Sequence, residues 1–86
     1  MVTVYVLTGR GGKRYVGITQ NLKRRLAEHR SGTTKAGQLL GSFEVIHQES
    51  FPDYGAARER EKSLKSGQGR KWLDSQYGKT RSAKGG

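Results

Sequence analysis

The sequence predicts one small α+β domain, a single layer of sheet with helices on its faces, and three observations carry that prediction. Two runs rich in β-branched and aromatic residues, 2–7 and 15–18, flank the glycine-rich stretch 9–14. Residues 22–30 and 54–65 repeat their apolar side chains at helical spacing. Between those helices a third, roughly alternating run covers residues 43–48. With 86 residues there is room for one domain and a thin core.

Each element follows from local chemistry. The first two strands and their glycine-rich connection read as a β-hairpin. Asn21 is a suitable N-cap for the first helix, in which Leu22, Arg25, Leu26 and His29 share one face at i, i+3, i+4 and i+7, and Gly32 ends it. Residues 31–42 read as a loop, with Leu39 and Leu40 tucked onto the core. In the third strand Phe43, Val45 and His47 are expected on one side, and Pro52 breaks the run after Phe51. Asp53 then caps a helix over residues 54–65, and Gly67 separates it from a shorter helix over 68–77 carrying Trp72 and Leu73. The division expected is therefore a folded domain over 1–77 and a basic, disordered tail over 78–86.

Charge is the strongest global feature. Seventeen Lys and Arg face seven Asp and Glu, for a net +10. Such an excess points to a polyanionic partner, nucleic acid above all. Without cysteine, disulfides and thiolate zinc sites are excluded. No apolar run approaches the ~20 residues that span a bilayer, and the N-terminus lacks signal-peptide order. The expectation is a soluble cytoplasmic protein with no membrane partner.

Phosphodiester cleavage needs an activated water, a cation against the developing phosphate charge and, usually, a hard metal ion. The acidic residues are Glu28, Glu44, Glu49, Asp53, Glu59, Glu61 and Asp74, and no D-x-D cluster occurs among them. A metal would therefore be held by one carboxylate with water and substrate oxygens, an arrangement that suits Mg²⁺. Ala57 and Leu64 turn the face of Glu61 toward the core, where a bare carboxylate is costly and wants a cation. Glu59 reads as the surface ion-pairing residue. Gly9, Gly11 and Gly12 match neither phosphate-binding glycine motif. Trp72 reads as core, and His47 is assigned no role.

Four motifs then occur in order. Val4-Tyr5-Val6 is followed ten residues on by Tyr15-Val16-Gly17, then by Arg25 and His29 on one helix, then by Ala57-x-x-x-Glu61-x-x-x-Lys65. This series resembles the GIY-YIG nucleases over residues 2–75, and among them the N-terminal incision domain of the bacterial excision-repair nuclease. The second triplet is close to its namesake. The first departs from it, with Val4 and Val6 beside the retained Tyr5.

The resemblance implies a small, three-stranded, mainly antiparallel sheet flanked by helices. It implies a metal-dependent DNA endonuclease with a place in repair or recombination, RNA remaining open as a substrate. Glu61 would bind one Mg²⁺, or Mn²⁺ in its place. Tyr5 or Tyr15 would lie at the attacking water, Arg25 would contact the scissile phosphate, and His29 would position water, relay a proton or bind phosphate. A phenol ordinarily titrates near 10, so a tyrosine base needs cations beside it. Lys13, Arg14, Lys23, Arg24, Lys65 and Arg70 are the expected nucleic-acid contacts, and a protein partner could supply specificity. The rival reading is a binding module of the same fold with weak or absent catalysis, suggested by the altered first triplet and the charge.

Overall fold

The computed structural model describes residues 1–78. Its order is β1 (Val2–Thr8), a short 3₁₀ turn (Arg10–Gly12), β2 (Arg14–Thr19), α1 (Leu22–Arg30), α2 (Lys35–Leu40), β3 (Glu44–Phe51), α3 (Tyr54–Lys65) and α4 (Gly67–Tyr77). The three strands form one antiparallel sheet in the order β2-β1-β3. This is the α+β architecture the sequence predicts. In the β1–β2 connection Gly11 and Gly12 take φ of 71° and 79°, a region that disfavours residues with a Cβ.

β1 is central and covered on both faces, so its residues are buried nearly without alternation. Val2, Val4 and Val6 point to one face and join Val16, Ala57, Leu64 and Leu73 in a core beneath α3 and α4. Tyr5 and Leu7 point to the other and pack with Leu40, Tyr15, Leu22, Leu26, Phe43 and Val45 beneath α1 and α2.

Two details differ from the sequence reading. Residues 35–40 form a helix rather than loop, capped by the Thr34 hydroxyl, which accepts the Gly37 N–H. At six residues it is too short to show a periodicity. Leu40 is buried in the core as expected, whereas Leu39 is 64% exposed. In β3, Val6 faces His47 and Leu7 faces Val45, so Ile46 is the extra residue of a β-bulge. The bulge sends Phe43 and Val45 to the α1 face and His47 to the α4 face, where its ring meets Trp72 edge-on at 5.2 Å.

α4 is tied to both outer strands. Arg14 of β2 pairs with Asp74 at 2.9 Å and donates to the Gly78 carbonyl at 3.0 Å, while His47 of β3 bonds the Tyr77 hydroxyl. Among the described residues no helix is long and apolar enough to cross a membrane. The expectation of a disordered tail falls, apart from Gly78, outside the described residues.

Candidate active site

The site begins in the middle of β1. Tyr5 is fully buried, and its hydroxyl shares a 2.9 Å hydrogen bond with His29 Nε2. Its neighbour across β2 is Gly17, where a Cβ would lie 2.6 Å from the Tyr5 hydroxyl. The glycine of the second triplet thus leaves the space through which the phenol crosses its neighbouring strand.

His29, on the last turn of α1, is only 1% exposed. Its Nδ1 lies 2.7 Å from Thr34 Oγ1, the same oxygen that caps α2. Both ring nitrogens are therefore satisfied, and a relay runs from Tyr5 through His29 to Thr34. The Tyr15 ring stands 6.1 Å from that of Tyr5 and 5.4 Å, edge-on, from that of His29. Phe43 closes the far side of the imidazole at 6.2 Å. α2 fits against His29 closely because position 37 is glycine: a Cβ there would lie 2.1 Å from the His29 carbonyl oxygen. Thr34 and Gly37 escaped the sequence reading. The one cue was a threonine shortly after a helix stop, a residue type favoured at N-caps, and it says nothing of the contact with His29.

Arg25 is partly exposed, one turn before His29, and donates to Glu28 at 3.0 Å; Arg24 reaches the same carboxylate at 3.5 Å. The electrostatics follow from this crowding. Burial pushes the Tyr5 phenol up to about 12, with Arg25 beside it offsetting some of the effect. Burial, and then the Arg25 charge, hold His29 below the ordinary imidazole value, so the neutral ring is favoured. The Glu28 carboxylate, then the Tyr5 phenol, raise the Arg25 guanidinium.

A cleft of about 390 Å³ opens beside Arg25. Ile18 and Thr19 at the end of β2, the Gln20–Asn21 turn, Arg24, Arg25 and Glu28 of α1, and Tyr54 at the start of α3 line it. Strand β2 is an edge of the sheet, so α1 and α3, packed on opposite faces, both reach the cleft around that edge.

The structure thus brings Tyr5, Tyr15, Arg25 and His29 together. Glu61 lies on α3, two turns after Tyr54 and on the same helical face. It is inward-facing as expected, with 17% of its side chain exposed, but its cation is Lys65, 3.0 Å away on its own helix. The ion-pairing carboxylate of α3 in that contact is therefore Glu61 rather than Glu59. Among the described residues no three His, Asp or Glu side chains gather into a metal cage. A single, largely covered carboxylate fits a hard cation that completes its shell with water and phosphate oxygens.

Of the expected nucleic-acid contacts, Lys13, Lys23, Arg24, Lys65 and Arg70 are on the surface. Arg14 is not available in the same way. Its side chain is 13% exposed and its charge is engaged by Asp74, so it serves the fold. On the sheet's other face, Trp72 packs against the core beneath the Arg60 guanidinium, 4.9 Å from the ring centre. Arg60 also holds Glu49 through contacts of 3.0 and 3.2 Å, and Glu49 receives His47 at 2.6 Å.

Comparison with known proteins agrees with the fold. A UPF0213 protein of Natronomonas pharaonis is 39% identical over 64 residues, spanning 73% of this chain and 75% of that protein. A UPF0213 protein encoded in the VLF1-GP41 intergenic region of Autographa californica nuclear polyhedrosis virus is 38% identical over 64 residues, covering 72% of this chain and 62% of its own length. The solution NMR structure of a UPF0213 protein from Bacillus halodurans superposes with a TM-score of 0.56 at 30% identity, covering 91% of this chain and 87% of that one. The family model for the GIY-YIG catalytic domain matches residues 1–73. The chain therefore belongs to the GIY-YIG family, whose members are generally nucleases.

Proposed function

We propose that the protein is a divalent-metal-dependent endonuclease that hydrolyses phosphodiester bonds in DNA. The observation that carries this reading is the cluster of Tyr5, Tyr15 and His29 with Arg25 at its mouth, beside a basic cleft. Arg25 binds the scissile phosphate, since a guanidinium can contact two phosphate oxygens at once. Phosphate competes with Glu28 for that guanidinium.

The two tyrosines take different roles. Tyr5 has no exposed surface, its hydroxyl is engaged by His29, and burial pushes its phenol up to about 12, all of which disfavour it as the base. It positions His29 and Tyr15. Tyr15 is less buried and faces the same cluster, so it takes the proton of the attacking water. His29, kept neutral, adds no second cation beside Arg25 and fixes the Tyr5 phenol through one ring nitrogen while Thr34 holds the other.

Glu61 is the residue that would hold Mg²⁺, with Lys65 swinging out toward solvent or phosphate. Bound there, the ion supplies Lewis-acid stabilisation of the phosphate oxygens.

The test is nicking of supercoiled plasmid and of branched DNA. Wild type should cut with Mg²⁺ and stop in chelator. Tyr15→Phe should lose about 10²–10⁴-fold in rate, the usual worth of a general base. Glu61→Ala should be inactive at all Mg²⁺ concentrations while remaining folded. Wild-type protein that binds these DNAs but cuts none would replace the enzyme reading with a binding module.

A further inference from the structure

We propose that Tyr54 is a stacking platform for an unpaired nucleobase beside the scissile phosphate, so that the preferred substrate is a nucleic acid whose strand is unstacked at the cut. This rests on Arg25 contacting phosphate, as argued above.

Tyr54 is a large aromatic left 46% exposed, and it joins neither core cluster. Its backbone is nevertheless fixed. It is the first residue of α3, directly after Asp53, whose carboxylate accepts the Ala56 N–H at 2.9 Å. Tyr54 thus lines, from a capped helix, the cleft that contains Arg24 and Arg25.

The other walls of that cleft match the remaining portions of a nucleotide. Two guanidiniums outweigh the single Glu28 carboxylate they share, which leaves positive charge for a phosphate. Gln20 is exposed at the rim. Asn21 spends its side-chain Oδ1 on the Arg24 N–H, at 3.1 Å, which leaves its side-chain amide hydrogens for a base edge. Charge, aromatic face and amide donors thus meet in one cleft of nucleotide size.

A base within a continuous duplex has both faces covered by its neighbours. Only an unstacked base offers a face to an aromatic ring, and every base does so, which makes the contact indifferent to sequence. Glu61 lies on Tyr54's side of α3, two turns or about 10 Å further along. Platform and metal-binding carboxylate would therefore flank one short stretch of the same strand.

The experiment uses the full chain in chelator and a series of single-stranded DNA oligonucleotides carrying 2-aminopurine at successive positions. The same sequences annealed as blunt duplexes form the second arm. Wild type should alter the fluorescence at a defined position, Tyr54→Phe should preserve that change, and Tyr54→Ala should abolish it. Tyr54→Ala should weaken single-strand binding about tenfold, the scale of one aromatic–base stack, and duplex binding about twofold or less. Equal losses on both substrates would overturn the platform, as would the absence of any position-specific, Tyr54-dependent signal. If that signal persists in a protein that cuts nothing with Mg²⁺, the nuclease reading falls and the platform stands. If cutting depends on Arg25 but single-strand binding is indifferent to Tyr54→Ala, the platform falls and the nuclease stands.

Discussion

His29 and Tyr5 are held in opposite ways by the same burial, and each leaves a mark on the pH dependence of stability. The fold lowers His29 below its ordinary value of 6.5, so the unfolded chain binds the extra proton first as pH falls. The stability from this histidine is complete above about pH 6.5 and is lost as pH drops from there through the folded value. Thermal melts between pH 7.5 and 5 should show a fall in Tm that His29→Gln lacks. Tyr5 is the mirror case. Its folded value of about 12 against an ordinary 10.0 means stability complete below pH 10 and lost on the way to pH 12, by about 2–3 kcal/mol. Tyr5→Phe, compared by denaturant titration at pH 9 and 11, should lose that dependence. Glu28→Gln should free Arg25 and tighten binding of a DNA oligonucleotide a few-fold, which a fluorescence-anisotropy titration would read. The four clustered residues were legible in the sequence because their spacings follow a family pattern and a helix period. Thr34 was not, because its role depends on a helix of six residues that places its hydroxyl against an imidazole five positions earlier.

The elements are joined by glycines whose importance is steric. Gly37 lets α2 lie on the backbone of α1, and Gly69 does the same for α4 on α3, where a Cβ would come 2.1 Å from the Ser63 carbonyl oxygen. Gly69→Ala therefore has to push apart the α3 and α4 helices, which share Leu64 and Leu73, at a cost of about 1–3 kcal/mol. Chemical denaturation should show that loss as a lower midpoint with an unchanged m-value. Gly37→Ala should cost stability and also cleavage, because it displaces His29. Strands, long helices and their Asn21 and Asp53 caps could be read directly from residue pattern. The reversal of faces along β3 could not. A bulge adds one residue without any composition cue, and so His47 appears in sequence to share the side of Phe43 and Val45.

For the molecule as a whole, the net +10 decides how binding responds to salt. If Lys13, Lys23, Arg24, Arg25, Lys65 and Arg70 all contact phosphates, log Kobs should fall against log[salt] with a slope of about −5. Arg14→Ala should leave that slope in place and lower Tm instead, because its partners are Asp74 and Gly78. Equilibrium titrations across a salt series, paired with melts, separate the two outcomes. Fold class and net charge were thus open to the sequence, whereas the division of the basic residues between fold and surface required knowing which helix end lies over which strand.

The bulge at Ile46 has a consequence for how the protein behaves at high concentration. β3 is an outer strand, and a straight outer strand offers an unpaired row of backbone donors and acceptors to any other chain. The extra residue breaks that row near its middle and twists the strand, so a second copy cannot zip along it. Deleting Ile46 would straighten the edge while leaving Val45 opposite Leu7 and His47 opposite Val6, so the faces of β3 are kept and the unbroken row of backbone groups is the change. Such a variant should form aggregates under conditions where the parent chain remains dispersed, as dynamic light scattering would reveal.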